Sequence, residues 1–150
     1  MLALQDTFGM NDDTLVKAAS AMSGGIGGMY DSCGALLGAA IMLGGVCGSG
    51  RDDVGNMEKS MGVRTQTGKL YKWFEKEYGA TACQDIRKNF GGGVFYEWNI
   101  PWQMELAKEA GVMDKCRDMV EKTAAGTAEM IYDEMKPGKK KPEEKKTGGH

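Results

Sequence analysis

The sequence predicts an all-α protein, a compact bundle of about five or six helices around a central helix rich in glycine and alanine. The first observation is the segment 34–46, in which no side chain is charged or polar. A helix that is apolar on every side is expected to be buried. Elsewhere apolar residues recur at helical spacing, and no segment alternates with period two for long enough to predict a strand.

Two helices are predicted before the central one. The first covers residues 1–8, with Leu2, Leu4 and Phe8 partly on one side and Gly9 at its end. Asn11 or Asp12 is a suitable cap for the second helix, because short polar side chains accept bonds from free N–H groups. Its apolar stripe consists of Leu15, Ala18, Ala19 and Met22. Gly24 is expected to follow its last turn.

The central helix is predicted from about Ser32 to Gly44, after a glycine-rich entry at 24–28. It is too short to span a bilayer, which needs roughly 18–20 apolar residues. Gly34 and Gly38 share one face because they lie four residues apart. That bare face predicts a close approach, either by another helix or by a ligand, and Gly34 and Gly38 are therefore candidate cofactor-binding residues.

The second half of the chain contains two clearer helices. One carries Leu70, Trp73, Phe74 and Tyr78 on one face and ends at Gly79, whereas the helical spacing at 54–61 is weakened by glycines. Residues 94–100 are predicted to form an aromatic loop that precedes Pro101. The final helix is predicted to start at Asp114, with Cys116 and Met119 on its apolar stripe, and to stop at Pro137.

Charge divides the chain into two parts, a domain at 1–135 and a tail at 136–150. The tail holds six lysines and two glutamates, a charge of +4, which leaves −6 for the domain because the whole chain carries −2. A low apolar content predicts that the tail is disordered. The acidic domain argues against nucleic acid as a partner, and the apolar segment is too short for membrane insertion. Since no leader pattern precedes the first helix, we expect a cytoplasmic protein.

Three of the four cysteines have the same local context. Cys33, Cys83 and Cys116 each follow a good capping residue by two positions, namely Asp31, Thr81 and Asp114. Gln84 completes a capping-box pattern with Thr81. The thiols are therefore predicted in first helical turns, where free N–H groups lower the pKa of a thiol. This pattern indicates redox thiols or metal ligands, because the thiolate is both the nucleophile and the ligand.

Cys47 differs, since it follows the end of the central helix, roughly 20 Å from Cys33 at 1.5 Å per residue. It remains a further candidate ligand only if the helix breaks at Gly44. The spacing of the cysteines matches no zinc finger or ferredoxin pattern, so the tertiary fold would have to assemble a site. No Cys-x-x-Cys-His segment for haem attachment occurs. The glycines at 24–28 follow a helix and not a strand, which excludes a dinucleotide-binding motif.

The chain resembles the C_GCAxxG_C_C family, named for a Cys-Gly-Ala-x-x-Gly motif. Residues 33–38, Cys-Gly-Ala-Leu-Leu-Gly, match the motif after a similar glycine entry, and segments 78–86 and 116–120 resemble the later cysteine segments. The resemblance covers residues 1–135 and implies redox activity; a related domain in split-Soret cytochromes implies electron transfer. The family's first cysteine has no counterpart near Leu2, so a fourth ligand would come from Cys47 or a partner chain.

The sequence is therefore consistent with three functions. The leading hypothesis is an electron-transfer protein in which Cys33, Cys83 and Cys116 hold an iron–sulfur cluster or another metal. The alternatives are metal-free thiol–disulfide chemistry by the same cysteines and a non-catalytic helical subunit of a larger redox complex. A redox partner or second subunit is expected, including a homodimer. The aromatic loop around Trp98 is interpreted either as a partner-docking surface or as a lid over the domain's own core.

Overall fold

The computed structural model describes residues 1–136, which form seven α-helices and one short 3-10 helix. The helices are α1 (Leu2–Thr7), α2 (Asp13–Ser20), α3 (Gly34–Cys47), α4 (Met57–Tyr78), α5 (Cys83–Phe90), α6 (Pro101–Glu109) and α7 (Val112–Met135), with the 3-10 helix at Arg51–Asp53. The predicted all-α class is confirmed. The predicted disorder of the tail concerns residues that, from 137 onward, lie outside the described part of the chain.

Two of the helices differ from those predicted. α4 runs without interruption through Gly62 and Gly68, although glycine disfavours a helix by up to about 1 kcal/mol. Its packing against α3 outweighs that preference. α6 begins at Pro101, where the fixed φ of proline suits the first helical position. The aromatic loop therefore ends at Ile100, as predicted.

The core lies around α3, which packs against α2, α4 and α7. Its fully buried side chains include Leu36, Met42 and Leu43, which meet Leu70 and Phe74 of α4. Burial on every side of α3 was predicted and is wrong, since only four of its fourteen residues are buried and others, including Leu37 and Ile41, are only partly covered. None of the described helices has the length and apolar character needed to cross a membrane.

Two of the predicted helix boundaries are confirmed by their capping geometry. The Asp12 carboxylate accepts hydrogen bonds from the N–H groups of Thr14 and Leu15, at 2.9 and 3.2 Å, and so caps α2. Gly79 ends α4 in the left-handed conformation, with φ of 73°. Its N–H donates to the Glu75 carbonyl at 2.8 Å, as expected for glycine after a last helical turn.

The two glycines of the bare face of α3 have different surroundings. A Cβ atom added at Gly34 would lie 2.6 Å from the carbonyl oxygen of Met22, so the backbone after α2 does approach this position closely. A Cβ atom added at Gly38 would meet no atom within 4 Å. The predicted close approach is therefore present at Gly34, whereas Gly38 faces open space.

This contrast gives a matched pair of substitutions. Gly34→Ala is expected to lower the free energy of unfolding by about 1–3 kcal/mol, because the added methyl group overlaps backbone that cannot rotate away. Gly38→Ala is expected to be neutral or to stabilise the protein by up to about 1 kcal/mol through helix propensity. Urea denaturation of both variants checks this, and equal stabilities would contradict it.

Candidate redox site

The site is organised by a short antiparallel backbone pairing between the segments that precede α3 and α5. Ser32 and Ala82 form an isolated β-bridge. The Cys33 N–H donates to the Thr81 carbonyl at 2.8 Å, and the Cys83 N–H donates to the Asp31 carbonyl at 2.6 Å. Because alternate residues of a strand point to the same face, this pairing puts Cys33 and Cys83 on one face as diagonal neighbours.

The same pairing replaces the side-chain caps that the sequence predicted. Cys33 itself occupies the N-cap position of α3, so Asp31 is not the cap. Ala82 is the N-cap of α5, and the predicted capping box at Thr81 is wrong. The first two N–H groups of α5 are bound instead by the backbone carbonyls of residues 31 and 30, which leaves the Thr81 hydroxyl to pair with Tyr71 at 3.0 Å.

The third cysteine approaches from α7. This helix starts at Val112 and not at the predicted Asp114, so Cys116 lies one turn inside the helix. Cys33, Cys83 and Cys116 all line one cavity of about 760 Å³, together with Gly34 and Gly38. The fold thus assembles, from three different helices, the set of residues that the cysteine pattern singled out.

Burial determines the protonation of these thiols. Burial raises the pKa of the Cys33 thiol and outweighs the N–H groups of Ala35 and Leu36, which lower it. The pKa of Cys83 is raised to about 11, mainly by burial and in addition by negative charge on Cys33. The pKa of Cys116 is raised in the same way. The predicted lowering of the thiol pKa values is therefore wrong, because loss of hydration exceeds the effect of the helix starts.

Arg87 is a fourth chemical group in the cavity, and sequence analysis missed it. Its side chain is buried, and Nη2 donates to the Tyr96 carbonyl at 2.5 Å. The guanidinium lowers the pKa values of Cys83 and Cys116, although less than burial raises them. One signal was available, since Cys83 and Arg87 lie four residues apart and therefore share a face of α5.

Part of the aromatic loop covers this arginine. The guanidinium carbon lies 5.1 Å from the ring centre of Tyr30, 5.2 Å from that of Phe95 and 4.4 Å from that of Trp98. The backbone N–H of Trp98 donates to the Tyr30 hydroxyl at 2.8 Å. This part of the loop packs on its own domain, as the lid interpretation predicts, whereas Trp102 on α6 is 64% exposed.

The fourth cysteine does not line the cavity. α3 continues through Gly44 and ends at Cys47, so Cys47 lies at the opposite end of this helix from Cys33. Burial and the nearby Glu134 raise the pKa of Cys47. Within residues 1–136, no three His, Cys, Asp or Glu side chains are grouped so that they could hold a single metal ion.

The glycine-rich segment 24–28 packs against the backbone pairing between residues 31–33 and 81–83. Gly24, Gly25, Gly27 and Gly28 all have positive φ, and a Cβ atom added at Gly25 would lie 2.8 Å from the Cβ of Cys83 and 2.7 Å from the Asp31 nitrogen. A side chain at Gly25 would thus separate the two paired segments. A Cβ at Gly27, whose φ is also positive at 61°, would meet nothing within 4 Å.

These features define a class, a small all-helical protein in which three cysteines, carried by or capping three separate helices, line one cavity. A protein-family model described as "Putative redox-active protein (C_GCAxxG_C_C)" matches residues 1–130. The chain belongs to this family. No curated protein and no solved structure matches it.

Substitution of Gly25 and Gly27, which both have positive φ, tests whether the close packing of Gly25 stabilises the site. Alanine at either position has an unfavourable φ, which costs roughly 1–2 kcal/mol. Gly25→Ala is expected to be less stable than Gly27→Ala by a further 1–3 kcal/mol or so, because only the former overlaps Cys83 and Asp31. Urea denaturation measures the difference, and equal losses of stability would contradict the close packing of Gly25.

The raised pKa of Cys83 predicts slow alkylation. At pH 8 the thiolate fraction should be about 200-fold lower in the folded, metal-free protein than in unfolded chain with a thiol pKa of about 8.5. The greater nucleophilicity of a more basic thiolate returns roughly tenfold. Iodoacetamide should therefore modify Cys83 about 20-fold more slowly in the folded protein, and the rate should keep rising to about pH 11.

Mass spectrometry of the Cys83 peptide gives this rate, with the urea-unfolded chain as the control. A folded-state rate that levels off below pH 9, or that equals the unfolded rate at pH 8, would show that burial does not hold the proton on this sulfur.

Proposed function

We propose that this protein is a small electron-transfer protein in which the thiolates of Cys33, Cys83 and Cys116 hold an iron–sulfur cluster. The observation that carries the proposal is that these three cysteines, from three helices, line one cavity of about 760 Å³. Cysteine thiolates are the usual ligands of such clusters. Membership of a family described as redox-active supports the same chemistry.

The backbone spacing of two of the cysteines suits a cluster better than a single metal ion. Cys33 and Cys83 are diagonal neighbours on an antiparallel pair, and such residues lie roughly 7–8 Å apart in the backbone, with their Cβ atoms somewhat closer. The sulfurs around a single ion must lie closer together than that, and the described residues contain no such group. A cluster of several metal atoms has ligands that are farther apart, and so the donor set and the space both fit it.

The same spacing argues against a ready-made disulfide. A disulfide requires Cβ atoms about 3.5–4.5 Å apart. The backbone pairing that fixes Cys33 and Cys83 as diagonal neighbours would have to shift before their sulfurs could bond. Metal-free thiol–disulfide exchange is therefore the second candidate, supported by the shared cavity but requiring a movement of the chain.

The surroundings suit ligands that must be deprotonated. Metal binding releases the thiol protons, so raised thiol pKa values make loading more favourable as the pH rises. The Arg87 guanidinium beside Cys83 and Cys116 stabilises negative charge on both sulfurs. A bound cluster supplies reversible one-electron transfer. The apolar walls keep water away from the sulfurs, which is one of the factors that set a reduction potential.

Three protein ligands leave a fourth position to be filled. Cys47 is at the far end of α3 and does not supply it. In this proposal the fourth ligand is a non-protein group or a residue of a partner subunit. Electron exchange in turn requires a redox partner protein or a second copy of the chain, which we propose docks near the half-exposed edge of Trp98.

The test is metal and sulfide content after purification without oxygen. The full chain is expected to contain iron and acid-labile sulfide and to absorb visible light. Cys33→Ser, Cys83→Ser and Cys116→Ser should each lose most of the iron, whereas Cys47→Ser should retain it and serves as the matched control. The retained fold of each variant is checked by circular dichroism.

A colourless full chain, without iron or sulfide after oxygen-free purification and reconstitution, would overturn the cluster proposal. Loss of iron in Cys47→Ser equal to that in the other variants would equally contradict the assigned ligand set. In a metal-free protein, oxidation that removes two free thiols and links Cys33 to Cys83 would establish the disulfide alternative.

A further inference from the structure

Arg87 has hydrogen-bonding groups that the protein does not use. Arg87 is only 2% exposed. Its Nε and Nη1 atoms have no hydrogen-bond partner among the described residues. Nη2 alone is bound by the Tyr96 carbonyl. Buried polar groups are almost always paired, since a charged group left without a partner costs several kcal/mol. These two nitrogens therefore require an explanation.

A side-chain hydrogen bond to the Tyr30 hydroxyl favours the charged form of Arg87, but the aromatic neighbours provide no acceptor for Nε or Nη1. Tyr30, Phe95 and Trp98 place their rings 4.4–5.2 Å from the guanidinium carbon, a distance at which the ring faces attract the cation. Such contacts hold the guanidinium group in position. They leave the N–H groups of Nε and Nη1, which are themselves buried, without an oxygen acceptor.

While its thiols are protonated, the cavity also lacks a negative group to balance this charge. Arg87 has the only charged side chain among the described lining residues, which include no aspartate or glutamate. An arginine in a protein stays protonated. The cavity therefore contains a fixed positive charge in apolar surroundings, and the ligand that complements it carries a negative charge.

The rest of the lining indicates what the anion is attached to. Leu4, Ala39, Met119 and Val120 contribute an apolar wall from α1, α3 and α7. Cavities of about 300–1,000 Å³ with apolar walls and a few polar groups are typical of sites for small organic molecules. The volume of about 760 Å³ falls within this range. An inorganic anion would interact with the Arg87 guanidinium but would make no apolar contact with the wall.

We propose that the cavity binds a small organic anion, with its acidic group on Arg87 and its apolar part against the wall formed by α1, α3 and α7. The ligand would lie beside Cys83 and Cys116, within the compartment that holds the thiols. This inference goes beyond the redox proposal and does not depend on a cluster, because it rests on the charge and the shape of the cavity.

Calorimetry of the full chain with a matched pair of probes tests the proposal. 2-Naphthoate carries the acidic group, and 2-naphthamide has the same shape without the charge. Naphthoate is expected to bind at least tenfold more tightly than the amide, and inorganic phosphate at least tenfold more weakly than naphthoate. Equal affinities of naphthoate and the amide, or phosphate binding as tight as that of naphthoate, would overturn the proposal.

Substitution of the arginine locates the binding. Arg87→Met should weaken naphthoate binding at least tenfold and change binding of the amide little. Arg64→Met is the control, because Arg64 lies on α4 in an exposed position away from the cavity. Unchanged naphthoate binding in a folded Arg87→Met protein would contradict the assignment. If that variant does not fold, the comparison of the two probes on the unmodified chain decides.

Iron content, measured on the same samples, separates this inference from the redox proposal. Naphthoate binding by protein that never acquires iron would leave the anion site standing and remove the cluster. Iron-loaded protein that binds naphthoate and the amide equally would support the cluster and overturn the anion site.

Discussion

The site depends on a backbone pairing only a few residues long. The N–H groups of Cys33, Cys83 and Gln84 donate to the carbonyls of Thr81, Asp31 and Tyr30, at 2.8, 2.6 and 2.9 Å. Each bond contributes about 1 kcal/mol net, but leaving helix-start N–H groups buried without acceptors would cost more. Since backbone carbonyls bind the first two N–H groups of α5, no side chain is needed to cap that helix. The Cys83 side chain is therefore free to face the cavity.

Burial leaves this cavity with a net positive charge, because it keeps the thiols neutral while Arg87 stays protonated. The thiols hold their protons because the cavity has little water to stabilise thiolates, and Arg87 keeps its charge because its intrinsic pKa is so high. The resting site is therefore neutral at sulfur and positive at Arg87. Deprotonation of the thiols and entry of an anion both move it towards neutrality. Either event is favoured by the charge that the fold has buried.

Local sequence patterns were sufficient to predict the helices that carry the cysteines. The apolar run predicted α3, the position of Gly79 predicted the end of α4, and the shared context of Cys33, Cys83 and Cys116 predicted that these residues belong together. All of these are properties of a few consecutive residues. They depend on periodicity and on the φ preference of glycine, which tertiary contacts rarely reverse.

The parts that could not be predicted all arise from contacts between distant segments. Thr81 has the sequence of a capping residue, yet carbonyls from residues 30 and 31 cap α5 in its place. The direction of the thiol pKa values depends on burial, which three separate helices create around the sulfurs. The four-residue spacing of Cys83 and Arg87 puts both on one face of α5 but does not show that Arg87 is buried. Only the fold shows that aromatic residues from two other segments enclose it.

Tyr30 connects these distant contacts to one another. It has a φ of 61°, a conformation that costs a residue with a side chain roughly 1–2 kcal/mol, so its position must be held by its surroundings. Its carbonyl binds the Gln84 N–H at the start of α5, its hydroxyl accepts from the Trp98 N–H, and its ring lies beside Arg87.

A single strained residue thus joins the glycine-rich entry, the start of the Cys83 helix and the aromatic cover of the cavity. Four nearby glycines allow the chain to turn in the left-handed sense that brings Tyr30 to this position. The glycine entry and the aromatic loop look unrelated in the sequence, since about 70 residues separate them. In the fold they meet at Tyr30, and through it they position the arginine next to the thiols.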